Sequence, residues 1–192
     1  MKAWQVVQNF GLNNLKQVEL PSRSLEKDEV RVKIRACSLN YRDLLVVNGH
    51  YNPHQPLPLI PVSDGAGEVL EVGFEVSSLK PGSRVCATFS QNWEYGRVND
   101  EAQNYTLGSP LPGMLADEGI FKERGLLKFP SFLSYVEAAT LPCAAVTAFN
   151  ALTHEAELKP GDSVLLQGTG GVSIFALQFA KALGLVSIAT SG

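Results

Sequence analysis

The sequence predicts two domains of different class: a β-rich domain of small-barrel or sandwich type over residues 1–130, then one βαβ unit over 131–192. Three observations carry this reading. Short segments of alternating polarity, separated by Gly, Pro and Asn turns, fill the chain up to Pro130. A capping-box pattern, Ser134 to Glu137 in "SYVE", opens a helical region just beyond. The final stretch, "LLQGTGGVSIFALQFAKALGLVSIATSG", writes strand, glycine turn, helix and strand in succession.

In the first domain, "KAWQVV" and "LKQVEL" form short strands around the turn "NFGLNN". "EVRVKIRACSL" alternates cleanly and puts Val30, Val32, Ile34 and Ala36 on one face. "NYRDLLVVNG" has room for about two helical turns, closed by Gly49. "YNPHQPLPLIP" is an exposed proline-rich loop. "GAGEVLEVG" is a strand with glycine where backbones crowd. "LKPGSRVCATF" is a turn running into a strand, and "MLADEGIFKERGLLKFP" supplies two more short strands. Between them lies "NWEYGRVNDEAQNYTLGSPLPG", which reads as one long polar loop, a length associated with function.

In the second domain, Pro142 suits the first turn of a new helix, so "PCAAVTAFNAL" is expected as a largely buried helix. "LKPGDSVLLQG" is a turn and an apolar strand, "GVSIFALQFAKALG" a helix ending at Gly184, and "LVSIAT" a second apolar strand. The order implies two parallel strands buried on both faces.

Composition removes several classes of function. Net charge is −3 with no run of Lys or Arg, which argues against a nucleic-acid partner. "MKAWQVVQNF" lacks the apolar core of a signal peptide. The most apolar stretch is interrupted by Gln178 and Lys181, so no membrane span is expected. Cys37, Cys86 and Cys143 are scattered among apolar neighbours, which points to a reducing cytoplasm rather than a disulfide framework.

"GTGGVS" meets the demands of a dinucleotide turn. Gly168 permits the tight exit from the strand, and Gly170 lets backbone N–H groups approach a pyrophosphate. The small Ser173 lets helix and strand pack closely. Gly168, Thr169, Gly170, Gly171, Val172 and Ser173 are therefore candidate cofactor residues, with the plain glycine-rich turn as the alternative. The second strand ends in "ATSG" and carries no acid for the ribose hydroxyls. Thr190 and Ser191 can donate to a 2′-phosphate that a carboxylate would repel, which favours NADPH over NAD. As the bland alternative, they simply end a strand.

The order of a β-rich domain, "VEAATLPCAAVTAFNAL" and "LKPGDSVLLQGTGGVSIFALQFAKALG" resembles the medium-chain dehydrogenase/reductases. The resemblance implies a GroES-like barrel domain followed by the first βαβ unit of a Rossmann domain, truncated relative to family members. It places Thr147 near the nicotinamide, although Thr147 is equally explained as a packed helix residue. Zinc-dependent members write Cys where this chain has Asn40 and His-Glu where it has Ser63-Asp64. The four clustered Cys of a structural zinc lobe are missing between Asn92 and Pro112, so no zinc is expected. His50 and His54 read as solvated loop residues. Zinc-free quinone and enone reductases write Asn at the position of Asn40 and keep Asp43 and a Tyr near Tyr51.

Without a Lewis acid, charge on a substrate oxygen must be met by hydrogen-bond donors. Asn40, Arg42 and Tyr51 are the candidates for that work. Each has a structural alternative: a helix cap for Asn40, a solvated charge for Arg42, loop packing for Tyr51. Asp43 reads as a partner for backbone N–H groups and Cys143 as a small buried hydrophobe. The expected activity is NADPH-dependent reduction of a quinone or α,β-unsaturated carbonyl. An alcohol or aldehyde oxidoreductase, or a non-catalytic binding module, are the alternatives. The resemblance implies homodimeric relatives and the absence here of their dimer strand. A two-strand Rossmann piece is expected to bind cofactor weakly.

Overall fold

A computed structural model describes residues 1–93 and 95–191. Glu94, in the long loop, and Gly192, the last residue of "ATSG", lie outside the described residues. The chain divides into two compact units, Met1–Pro142 and Cys143–Gly192.

The first unit begins with an antiparallel pair, β1 (Lys2–Val6) and β2 (Leu15–Glu19). β3 (Glu29–Ser38) follows, then α1 (Tyr41–Val47), β4 (Asp64–Val72) and β5 (Arg84–Ala87). α2 (Asp100–Asn104), β6 (Glu118–Lys122) and β7 (Leu126–Lys128) complete the strands of this unit. The main sheet has five strands in the order β6-β3-β4-β5-β7, each pair antiparallel. Val30 and Val32 alternate inward as expected and join Val69, Val85, Met114 and Phe121 in the core. Ala36, expected on the same face, packs instead with Ala66, Phe129, Ala138 and Ala139. The register between β3 and β4 shifts between Ile34 and Ala36, and a bulge re-aims the residues beyond it. Gly67 sits where the two strands crowd: a Cβ there would lie 2.3 Å from the Lys33 carbonyl oxygen.

The segment expected as an unbroken loop contains α2. Asn99 caps it, its Oδ1 accepting from the Ala102 N–H at 2.8 Å. The cap was in the sequence; the polarity of its neighbours concealed it.

α3 (Tyr135–Ala139) starts at the expected capping box. The Glu137 N–H donates to Ser134 Oγ at 3.2 Å, and the Ser134 N–H donates to Glu137 Oε2 at 2.7 Å. A helical run follows in three parts: a π turn (Leu141–Ala145), α4 (Val146–Asn150) and a second π turn (Ala151–Glu155). It was expected to be largely buried. Its small residues Ala144, Ala145 and Ala148 are buried, but Val146 and Phe149 are exposed. The helix buries one stripe only, and Ala148 and Leu152 share that cluster with Ala176 and Ala180 of the next helix.

The second unit continues with β8 (Ser163–Gln167), α5 (Gly171–Ala182) and β9 (Val186–Thr190). The strands are parallel, with Leu165 opposite Ile188. Burial on both faces was expected, and one face is covered. Leu166 lies in the cluster beneath α5, whereas Leu165 is 58% and Ile188 55% exposed. Successive strand residues point to opposite faces, and only one side has a helix. Among the described residues no helix is long and apolar enough to cross a membrane.

Glu29, at the start of β3, is buried and anchors the link from β2. Arg23 grips it with two nitrogens, Nη1 to Oε2 at 2.6 Å and Nη2 to Oε1 at 2.9 Å, and the Glu26 N–H adds a third bond at 2.9 Å. Chiefly through the Arg23 bonds, and against the opposing effect of burial, the carboxyl is held down at about 2. A depressed folded value stabilises above the ordinary carboxylate range, and that stabilisation is lost as pH falls towards 2. Glu29→Gln is expected to cost about 2 kcal/mol in urea melts at pH 7. The difference from wild type should shrink progressively as the melts are repeated between pH 4.5 and pH 2.

Candidate functional site

The start of α1 is set by a buried carboxylate. Asp43 is 5% exposed, and its Oδ2 accepts from the Asn40 N–H at 2.8 Å while Oδ1 accepts from the Ser63 N–H at 3.2 Å. Burial raises the Asp43 carboxyl, and the two backbone bonds pull the other way. Asn40 occupies the cap position with extended backbone and shares a capping box with Asp43: the Asn40 side chain is set against the Asp43 N–H, and the Asp43 carboxylate takes the Asn40 N–H. Among the described residues, the Asn40 Nδ2 and the Arg42 Nε are buried side-chain donors without a hydrogen-bond partner. Such groups are uncommon in folded proteins and call for an explanation.

Arg42 is not a solvated surface charge. Its Nη1 donates to the Leu107 carbonyl at 3.0 Å, and its Nη2 donates to the Ser109 carbonyl at 2.7 Å and to Thr106 Oγ1 at 3.4 Å. The guanidinium lies over the Tyr51 ring at 4.4 Å and the Phe89 ring at 4.8 Å. Tyr51 itself is 47% exposed. Arg42 is thus in direct contact with Tyr51, and Asn40 lies two residues before Arg42 at the start of α1.

Sequence reasoning missed Val62 at this site. It is a buried β-branched residue at φ 75°, a region that costs such a residue ~1–3 kcal/mol. The Met114 N–H donates to its carbonyl at 2.7 Å, and Gly113 lies so close that a Cβ would sit 2.2 Å from that oxygen. Nothing in the residue type signals this conformation. Next to it, the Ser63 hydroxyl donates to Asp64 Oδ1 at 2.9 Å, and Asp64 is fully buried. Cys37 donates its thiol proton to the Met114 carbonyl at 3.0 Å. Burial first, then Asp43 and Asp64, push that thiol up to about 11.

In the second unit, β8 ends at the glycine turn and α5 begins. Gly168 has φ +79°, as a tight exit requires. Its N–H donates to Thr190 Oγ1 at 3.2 Å, which ties the turn to the end of β9. Ser173 Oγ donates to the Gln167 carbonyl at 3.0 Å and ties the first turn of α5 back to β8. Gly170 caps α5 with φ −73° and ψ 173°, and a Cβ there would meet no atom within 4 Å. Thr169, Gly171, Val172 and Ser191 are exposed. Gly171 lies 3.6 Å, measured from a built Cβ, from the Ala144 side chain. Thr147 is exposed on α4, three residues beyond Ala144.

Residues 26–131 match the alcohol dehydrogenase GroES-like domain. The chain belongs to the medium-chain dehydrogenase/reductase superfamily. It has an N-terminal GroES-like sheet domain followed by a partial Rossmann-like sheet. A zinc-type alcohol dehydrogenase-like protein of Schizosaccharomyces pombe is 43% identical over 185 residues, covering 94% of this chain and 53% of that protein. A quinone oxidoreductase-like protein 2 homolog of Nematostella vectensis is 32% identical over 167 residues, covering 87% and 38%. The crystal structure of an NAD-dependent alcohol dehydrogenase superposes with a TM-score of 0.89 at 32% identity, covering 100% of this chain and 58% of that one. The chain therefore spans about half the length of such relatives or less.

As a superfamily member it is tied to NAD(P)-dependent oxidoreduction, and the glycine turn fits a dinucleotide. The early N–H groups of α5 are free of intrahelical acceptors, as at any helix start, and suit an anion. Gly170, the cap of α5, has ordinary extended dihedrals and open space around it, which leaves the backbone N–H groups behind it accessible. Among the described residues no three His, Cys, Asp or Glu side chains are grouped to hold a metal ion.

The two glycines separate by experiment. Gly168→Ala places a Cβ at positive φ and is expected to destabilise by about 1–2 kcal/mol in denaturant melts. Gly170→Ala, in ordinary extended backbone with open space, is expected to stay within about 0.5 kcal/mol of wild type.

Proposed function

We propose that the protein carrying this chain reduces a quinone or an α,β-unsaturated carbonyl with NADPH and without zinc. The carrying observation is the buried, unpartnered Nδ2 of Asn40. An Asn at a helix start ordinarily spends its side chain on the cap. That work belongs to its Oδ1; the Nδ2 is a separate donor, and here it is buried with nothing to receive its proton. A substrate oxygen that gains negative charge is the acceptor that this donor suits.

In this reading the first domain, residues 1–130, handles the substrate and the second, from 131, handles the dinucleotide. Asn40 donates to the substrate oxygen, and the Tyr51 hydroxyl is a second donor from the neighbouring loop. Amide and phenol donors suit an oxygen whose charge is delocalised, as in an enolate or hydroquinone. The backbone N–H groups from Gly168 to Ser173 hold the pyrophosphate, Thr147 lines the nicotinamide end, and Thr190 and Ser191 meet the 2′-phosphate. Thr190 accepts from Gly168 through its oxygen, so its own proton is free to be donated outwards. The bound nicotinamide supplies the hydride. The names of the quinone oxidoreductase-like relatives support this reading. The alcohol dehydrogenase names among the same relatives support alcohol or aldehyde oxidoreduction as the second reading.

A panel of quinones, enones and alcohols with NADPH or NADP⁺ decides between them. Asn40→Ala is expected to lower kcat on the preferred acceptor by ~10²-fold with the fold intact. Undiminished turnover by that variant would sink the donor role. Fluorescence titration should show NADPH binding more tightly than NADH, and Gly170→Ala weakening both.

A further inference from the structure

We propose that Arg42 is a positioning residue: it holds Tyr51 in place as a donor and does not itself meet the substrate oxygen. The inference rests on the functional reading above and deepens it. Tyr51 lies beyond the end of α1, is half exposed, and carries its hydroxyl on a loop rich in proline. A half-exposed ring there needs an outside constraint to keep one orientation. The Arg42 guanidinium, 4.4 Å from the ring centroid, supplies it.

The guanidinium is itself fixed. Nη1 and Nη2 are both occupied by oxygens of the segment from Thr106 to Ser109, and Phe89 lies 4.8 Å from the charge. That segment is tied in turn to the loop that carries Tyr51. The Ser109 hydroxyl donates to Gln55 Oε1 at 2.8 Å, and the Gln55 Nε2 donates to the Pro110 carbonyl at 3.4 Å. Gln55 is buried, four residues beyond Tyr51. Arg42 from α1 and Gln55 from the loop therefore grip the same segment, with the Tyr51 ring against Arg42. A planar fork that bonds along its edge while its face covers a ring is a geometry Lys cannot reproduce.

The test uses the protein carrying this chain, labelled with 3-fluorotyrosine. Of its tyrosine signals in ¹⁹F NMR, the one lost in Tyr51→Phe is assigned to Tyr51. Arg42→Lys, which keeps the charge, is expected to shift and broaden that signal while the other tyrosine signals hold still. In kinetics, Arg42→Lys and Arg42→Ala should lower kcat by ~10- to 100-fold with KM within about twofold, the size of loss a misplaced group produces. In a Tyr51→Phe background the same Arg42 substitutions should change kcat by less than about twofold, because the hydroxyl they position is gone. An unmoved Tyr51 signal overturns the proposal. So does an Arg42 effect of equal size in both backgrounds, which would give Arg42 a role of its own. If the unsubstituted protein reduces no acceptor, the functional reading fails, and the ¹⁹F signal alone then upholds or overturns the hold of Arg42 on Tyr51.

Discussion

The carboxylate of Asp43 is the constraint on which the candidate site depends. It is buried, and it receives one backbone amide from the start of α1 and another from the residue before β4. Two segments 20 residues apart are thereby pinned to one side chain. The Asp43 bond to the Asn40 N–H is one half of a capping box whose other half uses the Asn40 oxygen, and the Asn40 Nδ2 is left as a donor without a partner. The same burial, with the nearby acids, keeps Cys37 a thiol at neutral pH, a hydrogen-bond donor to Met114 and not a nucleophile. One buried acid thus shapes the helix start, the adjoining strand and the character of the groups around them.

The two units support their site residues differently. Asn40, Arg42 and Asp43 rest on a five-stranded sheet with a closed core of valines around Met114. The glycine turn rests on two parallel strands covered on one face, with Leu165, Val186 and Ile188 exposed on the other. Parallel strands are ordinarily covered on both faces. Fewer buried contacts make local opening easier in the second unit than in the first. Two side-chain bonds counter this at the turn, Gly168 to Thr190 and Ser173 to Gln167, and they brace both ends of the loop that would meet a pyrophosphate.

Most of the fold was legible because period and punctuation are local. The strands from β1 to β9, the capping box at Ser134 and the glycine turn all announce themselves within a few residues. What was not legible depends on partners distant in sequence. Ala36 changes cluster because a bulge forms against β4, and no pattern within β3 records it. Val62 takes φ 75° because Met114 and Gly113 close on its carbonyl from another segment. At the site, residue type singled out Asn40, Arg42 and Tyr51. It could not show that the charge of Arg42 is turned inwards onto carbonyls more than 60 residues away.

Each unit contains a feature that the protein itself does not use. In the first it is the Asn40 amide, buried and without an acceptor. In the second it is Gly170, a glycine with ordinary dihedrals and open space around it. Their neighbours differ from them in this respect. Ser173 and Thr190 were equally plausible ligand contacts on sequence grounds, and both are engaged by backbone groups of the chain. Both unused features answer to the same chemistry. An amide N–H needs an oxygen within reach, and a missing Cβ at a helix start lets an oxyanion approach the backbone. The proposed partner of the first is a carbonyl acceptor and that of the second a dinucleotide pyrophosphate. In the proposed function, the two gaps in the protein's own hydrogen bonding and packing are met by the two reactants of one oxidoreduction.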